Sequence, residues 1–227
     1  MNQGRENTGT EPFGCATEDL LVVHRMFRKL FGQAPSIVRS TSGAGAKRLA
    51  AVEHHVLEIV AALHTHHHGE DVMLWERLEE RAPACALHVE RMRMQHGDIS
   101  EKLDEVSARV EAWRGDRESG REPLAAALDD VGEALEDHLA DEEATIRPVA
   151  AEYIRQSEWE GLAEHGFEAI PPNRRLVQLG VLLSAFEDDE QRRVFWQSVP
   201  AVARAMYRIF GARQLRKGQA LLLGDVA

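Results

Sequence analysis

The sequence predicts an all-α protein, an up-down-up-down four-helix bundle with a short helical C-terminal extension. Four long runs repeat apolar residues at helical spacing, turn-forming residues fill the gaps between them, and almost no alternating strand pattern competes.

Thr17 suits an N-cap, Glu18 and Asp19 follow in the first turn, and Leu20, Val23, Phe27, Leu30 and Phe31 then recur on one face. The stretch from Ser40 to Gly45 separates this first helix from a second, with the stripe Val52, Val56, Ile59, Leu63, Leu74 and Leu78. Pro83 ends that run and suits the first turn of a third, carrying Val89, Met92, Ile99, Leu103, Val106, Val110 and Trp113. The charged, glycine-containing stretch from Arg114 to Gly120 is a solvated loop. Pro123 then opens a fourth helix with Leu124, Leu128, Val131, Leu135, Ile146, Val149 and Tyr153.

From about Ser157 the pattern shortens to pieces at Trp159 to His165, Leu176 to Phe186 and Val194 to Phe210, with Ile170-Pro171-Pro172 between the first two. These read as short helices packed on the bundle, and Phe195, Trp196, Tyr207 and Phe210 form a candidate homodimer contact. The expected division is a disordered tail over 1–16, a bundle over 17–155 and an extension over 156–227.

At 44% apolar and 29% charged residues the 227-residue chain has the composition of a folded globular protein. A net charge of -11 repels phosphate backbones and anionic membranes at long range, so neither nucleic acid nor a membrane is an expected partner. The polar head resembles no secretory signal, and no run of about 18 apolar residues occurs, which points to a cytoplasmic protein. Cys15 and Cys85 form no disulfide framework or thiolate site, so any bound metal must be held by nitrogen and oxygen.

The chemistry lies where polar residues interrupt the apolar stripes. His24 does so in the first helix, His66 and Glu70 in the second, His96 in the third, and His138 and Glu142 in the fourth. Residues on antiparallel neighbours lie level when they are equidistant from the connecting turn. The midpoints of 24 and 66, 66 and 96, and 96 and 138 fall at Gly45, Arg81 and Arg117, each at or beside an expected turn. Four imidazoles therefore share one layer of the core.

Two carboxylates buried there without compensation would each cost several kcal/mol, and a bound cation is the simplest compensation. Imidazole and carboxylate donors without thiolate suit iron, with manganese or zinc as other candidates. The spacing His-x-x-x-Glu puts both groups on one helix face about 6 Å apart, so that His can hold one ion while Glu reaches towards a second. His67 with Asp71 offers the same spacing rotated by about 100°; the stripe favours His66, with His67 as the alternative ligand or a partner behind the ligands. Glu142 lies on its stripe and Glu143 does not, so Glu142 is the expected ligand and Glu143 the alternative. His54, His55, His64, His68 and His88 read as surface or locally hydrogen-bonded residues, and Glu76, Glu79, Glu80, Asp129, Asp130 and Asp141 as solvated charge.

The segments Leu63-His64-Thr65-His66-His67-His68-Gly69-Glu70-Asp71 with Leu74-Trp75, Arg91-Met92-Arg93-Met94-Gln95-His96, and His138-Leu139-Ala140-Asp141-Glu142-Glu143 resemble the hemerythrin and HHE cation-binding family. The resemblance covers residues 17 to about 155, and Glu164 to Pro171 resembles tails on some bacterial members. It implies an oxo- or hydroxo-bridged di-iron centre held by five His and two carboxylates, with one position open to dioxygen.

The oxygen-carrying members have His-x-x-x-His on the third helix, and here Met92 stands at the first of those places. A thioether is a weak ligand for iron, so an additional open position is expected, which suits redox chemistry better than reversible oxygen carriage. The resulting expectation is a non-haem di-iron protein that reacts with dioxygen or peroxide, a candidate oxidoreductase of peroxidase, catalase or oxygenase type with or without a small organic substrate. The alternative is non-catalytic binding or sensing of oxygen, nitric oxide or iron.

Overall fold

The computed structural model describes residues 11–224, and these are helical with no strand among them. The long helices are α1 (Glu18–Arg39), α2 (Ala46–Met73), α4 (Ala86–Gly115) and α5 (Arg121–Thr145), with the short α3 (Trp75–Arg81) after α2 and α6 (Arg147–Tyr153) after α5. α1 packs on α2 and α5, and α4 packs on α2 and α5. This ring of neighbours is compatible with the up-down-up-down order expected of helices joined by short turns.

The turns follow from local chemistry. Gly43 sits at a φ of 66° between α1 and α2, a conformation that costs glycine nothing and other residues strain. At Gly120, which precedes α5, a Cβ would lie 2.6 Å from the Trp113 Cα, so only glycine lets the loop close against α4. Pro35 lies inside α1, which continues to Arg39 although proline cannot donate to the carbonyl of Phe31.

The stripes expected to run through Leu74 to Leu78 and Ile146 to Tyr153 are instead broken at Leu74 and Ile146, one turn beyond Glu70 and Glu142. Pro148, in the first turn of α6, accounts for the second break. Nothing comparable explains the first, where the Leu74 N–H still donates to the Glu70 carbonyl.

The core is in two parts. One joins Phe27, Phe31, Val52, Val56, Leu63, Ile99, Leu103, Trp113, Leu128 and Leu135; the other joins Leu20, Leu74, Trp75, Leu78, Val89, Met92, Ile146, Ala150 and Trp159. Each fully buried aromatic or aliphatic side chain contributes about 1.5–3 kcal/mol by leaving water. Between the two parts lies a polar layer formed by His24, His67, Glu70, His96, His138 and Glu142, all buried.

In the extension, α7 (Gln156–Ala169) packs on α2, while α8 (Arg175–Leu183) and the C-terminal helix α11 (Ala212–Leu223) pack on each other and on α1 and α2 respectively. Arg174 forks onto Glu58 of α2 with two contacts of 2.7 Å, and Arg48 holds the carbonyl of Leu222. The last segment therefore extends well past Phe210, its expected end. Between α8 and α11 lie α9 (Asp189–Ser198) and α10 (Ala201–Met206), followed by a π-helical turn, Tyr207–Gly211. The aromatic cluster pairs internally, Phe186 with Phe195 and Trp196 with Tyr207, while Phe210 is exposed.

Residues 1–10 of the expected disordered tail lie outside the described residues. Residues 11–16 are held down: Gly14 and Cys15 donate to the carbonyls of Ile154 and Ala151, and the Phe13 ring lies against Arg81 and Arg155. Both cysteines are free thiols. Among the described residues, no helix is long and apolar enough to cross a membrane.

Candidate metal centre

The polar layer resolves into two groups of converging donors. His24, His66, Glu70 and Glu142 form one and His67, His96 and His138 the other, and within each group one donor atom per residue lies within 4.8 Å of the others. The structure thus brings together all six residues singled out from the stripes and adds His67.

Helix geometry explains the addition. Adjacent helical residues point about 100° apart, and α2 has neighbours on both sides. His66 faces α1, its ring 5.5 Å from that of His24 and 5.2 Å from that of Phe27. His67 faces the other way, its ring 4.1 Å from that of His96 and 4.9 Å from that of His138. Glu70 follows both by one turn, and its carboxylate lies between the groups, with Oε1 3.4 Å from His66 Nε2 and Oε2 3.6 Å from His96 Nε2. Glu142 does the same from α5, its Oε2 lying 3.2 Å from His24 Nε2 and 3.8 Å from His138 Nε2.

These atoms are poorly satisfied by the protein alone. His24 Nε2, His66 Nε2, His67 Nε2, Glu70 Oε2 and both carboxylate oxygens of Glu142 are buried without a hydrogen-bond partner, although His24 Nε2 and Glu142 Oε2 approach to 3.2 Å. Buried polar groups are almost always paired, so six orphans in one layer call for a cation. The donor set fits one: all the nitrogens are imidazole, all the oxygens carboxylate, and no thiolate is present.

The electrostatics show the same need. Burial pushes His66 down to about 3 and His138 to about 4, and it pushes His67 well below the ordinary value, so these imidazoles are neutral with lone pairs free to coordinate. Burial and the neighbouring Glu142 push Glu70 well above the usual carboxylate range. For Glu142 burial is outweighed by His24 and His138, which hold it low; for His24 burial is outweighed by Glu142 and Glu143, which hold it high. A cation would relieve the strained pair of carboxylates.

Three imidazoles are oriented from behind. His24 Nδ1 lies 2.9 Å from Glu143 Oε1, which also accepts from Arg28 at 2.6 Å. His96 Nδ1 lies 2.8 Å from Asp71 Oδ1, which accepts from the Trp75 indole as well. His138 Nδ1 lies 3.2 Å from Gln95 Oε1, and the Gln95 amide donates to Asp141. Such partners fix tautomer and ring orientation in metal sites. Asp71, expected beside His67, thus supports His96, and Asp141, expected as solvated charge, anchors the Gln95 link.

Met92 is fully buried and belongs to the apolar cluster of Leu74, Trp75, Leu78 and Ile146. Its thioether is thus part of the apolar packing beside the donor layer, and the imidazole beside His96 and His138 comes from His67 on α2.

The family model of the hemerythrin HHE cation binding domain matches residues 15–150. No curated protein and no solved structure gives a match.

Proposed function

The chain belongs to the hemerythrin HHE cation-binding family, and on that footing we propose that the His/Glu layer holds two iron ions and serves reaction with dioxygen or peroxide. The observation that carries the reading is the placement of the two carboxylates: Glu70 and Glu142 each lie between an imidazole of one group and an imidazole of the other. A single ion would need only one group. His24 and His66 would hold one iron, His96 and His138 the other, with Glu70 and Glu142 shared. Bound there, the irons would supply the electrons that reduce dioxygen or peroxide.

The rest of the chemistry belongs to the protein. His24, His138 and Glu142 have no exposed surface, and neither a cleft between α1 and α5 nor one within the extension is lined by a donor residue. The donors are buried apart from an edge of His66, whose side chain is 15% exposed, and this favours reactants as small as dioxygen, peroxide or nitric oxide.

The test is metal analysis with ultraviolet-visible spectra of iron-loaded protein before and after oxygen, then peroxide. About two irons per chain with turnover of peroxide and no lasting oxygen uptake is the expected result. Reversible oxygen uptake without turnover would replace the enzymatic reading by binding or sensing, and protein that takes up no iron would sink both.

A further inference from the structure

We infer that His67 is a metal ligand, the third imidazole of the ion held by His96 and His138, and that α2 therefore serves both ions through two adjacent histidines. The inference rests on the two-ion reading above and adds a residue that the apolar stripe places off the core.

Three independent observations converge on it. The His67 ring faces away from His24 and stacks on His96 at 4.1 Å with 9° between the planes, edge-on to His138 at 4.9 Å. Its Nε2 is buried with no hydrogen-bond partner, whereas an imidazole kept in a core for packing alone would be expected to satisfy that nitrogen. Glu70 lies four residues from His66 and three from His67, the two spacings that place side chains on one helix face, so one carboxylate can be shared by the ions that the two histidines serve.

The arrangement also defines what Met92 does. It lies one turn before His96 on α4, yet it packs among Leu74, Trp75 and Ile146 as part of the apolar floor. With His67 in place, a donor at position 92 is redundant; without His67, position 92, four residues before His96 and on the same face of α4, is a place from which a substitute could reach the same ion.

The experiment is anaerobic titration of the full chain with Fe(II), read as irons bound per chain and as affinity by chelator competition, on the wild type, His67→Asn, Met92→His and the double variant. His67→Asn should fall from about two irons to about one, and Met92→His in that background should restore the second. Met92→His alone should leave stoichiometry and affinity unchanged. Melting in excess chelator reports whether His67→Asn is folded. If it is not, Met92→His alone decides, because a tenfold or larger gain in affinity for the second iron would show that the place was open. That gain, or His67→Asn retaining two irons at wild-type affinity, overturns the assignment of His67. Wild type binding fewer than two irons would instead overturn the two-ion reading, so the two failures are told apart.

Discussion

Glu142 and Glu143 are neighbours in the chain with different surroundings. Glu142 has no exposed surface and points both oxygens into the donor layer without a hydrogen bond, whereas Glu143 is 24% exposed and is engaged by His24 Nδ1 and Arg28. For Glu143 the cost of burial is outweighed by His24 and Arg28, which hold its carboxyl below the ordinary range, so it stays an acceptor that keeps Nδ1 protonated and Nε2 free. Glu142→Gln should therefore prevent full iron loading at any concentration. Glu143→Gln should reach full loading with affinity weakened about 10–100-fold. Chelator competition separates the two, and equal losses would mean that the pair shares one role.

At the scale of elements, the fold was legible wherever a single helix carries its own signal. The stripes located α1, α2, α4 and α5, and Gly45 and Gly120 stand as the N-caps of α2 and α5. His67 with Asp71 was legible only as a rotated copy of the His66–Glu70 spacing, because a residue 100° off a stripe is solvent-facing on an isolated helix and becomes core only when a second neighbour covers it. The C-terminal helix was hidden for the opposite reason: Ala212–Leu223 has no buried residue and is fixed by contacts such as the Arg48 guanidinium on the Leu222 carbonyl.

The sequence placed a helix at Trp159 to His165 on the bundle but not the ion pair that docks α7, and that pair makes a prediction of its own. Glu158 accepts from Arg81 of α3 at 2.6 and 2.7 Å and from the Arg155 backbone N–H at the start of α7. Arg81 above all holds its carboxyl down from 4.5 to about 2. A carboxyl depressed by folding stabilises fully above the unfolded value near 4.5, and that contribution disappears as pH falls through 2. In chelator-treated protein, Glu158→Gln should melt about 2–4 °C below wild type at neutral pH, since a partly solvated pair contributes up to about 1 kcal/mol. The gap should close between pH 4.5 and 2; a gap that is independent of pH would mean that Glu158 acts by packing alone.

Across the whole molecule, the donor layer couples metal to stability. The donors come from α1, α2, α4 and α5, and they separate the two apolar clusters, so one layer ties every long helix to the others. Without a cation that layer holds six unpaired buried atoms, each a cost that packing elsewhere must offset. An unfolded chain cannot assemble this donor geometry, so bound metal stabilises the native state by mass action, by about 4 kcal/mol when free metal is a thousandfold above Kd. For a chain of this size about 1 kcal/mol moves the melting point by about 2–4 °C, so iron-loaded protein should melt roughly 8–16 °C above chelator-treated protein. The shift should grow with free metal and should be largely lost in Glu142→Gln, which differential scanning fluorimetry across a metal series would show. A melting point indifferent to metal would mean that the layer is satisfied without an ion, and the two shared carboxylates would then need another explanation.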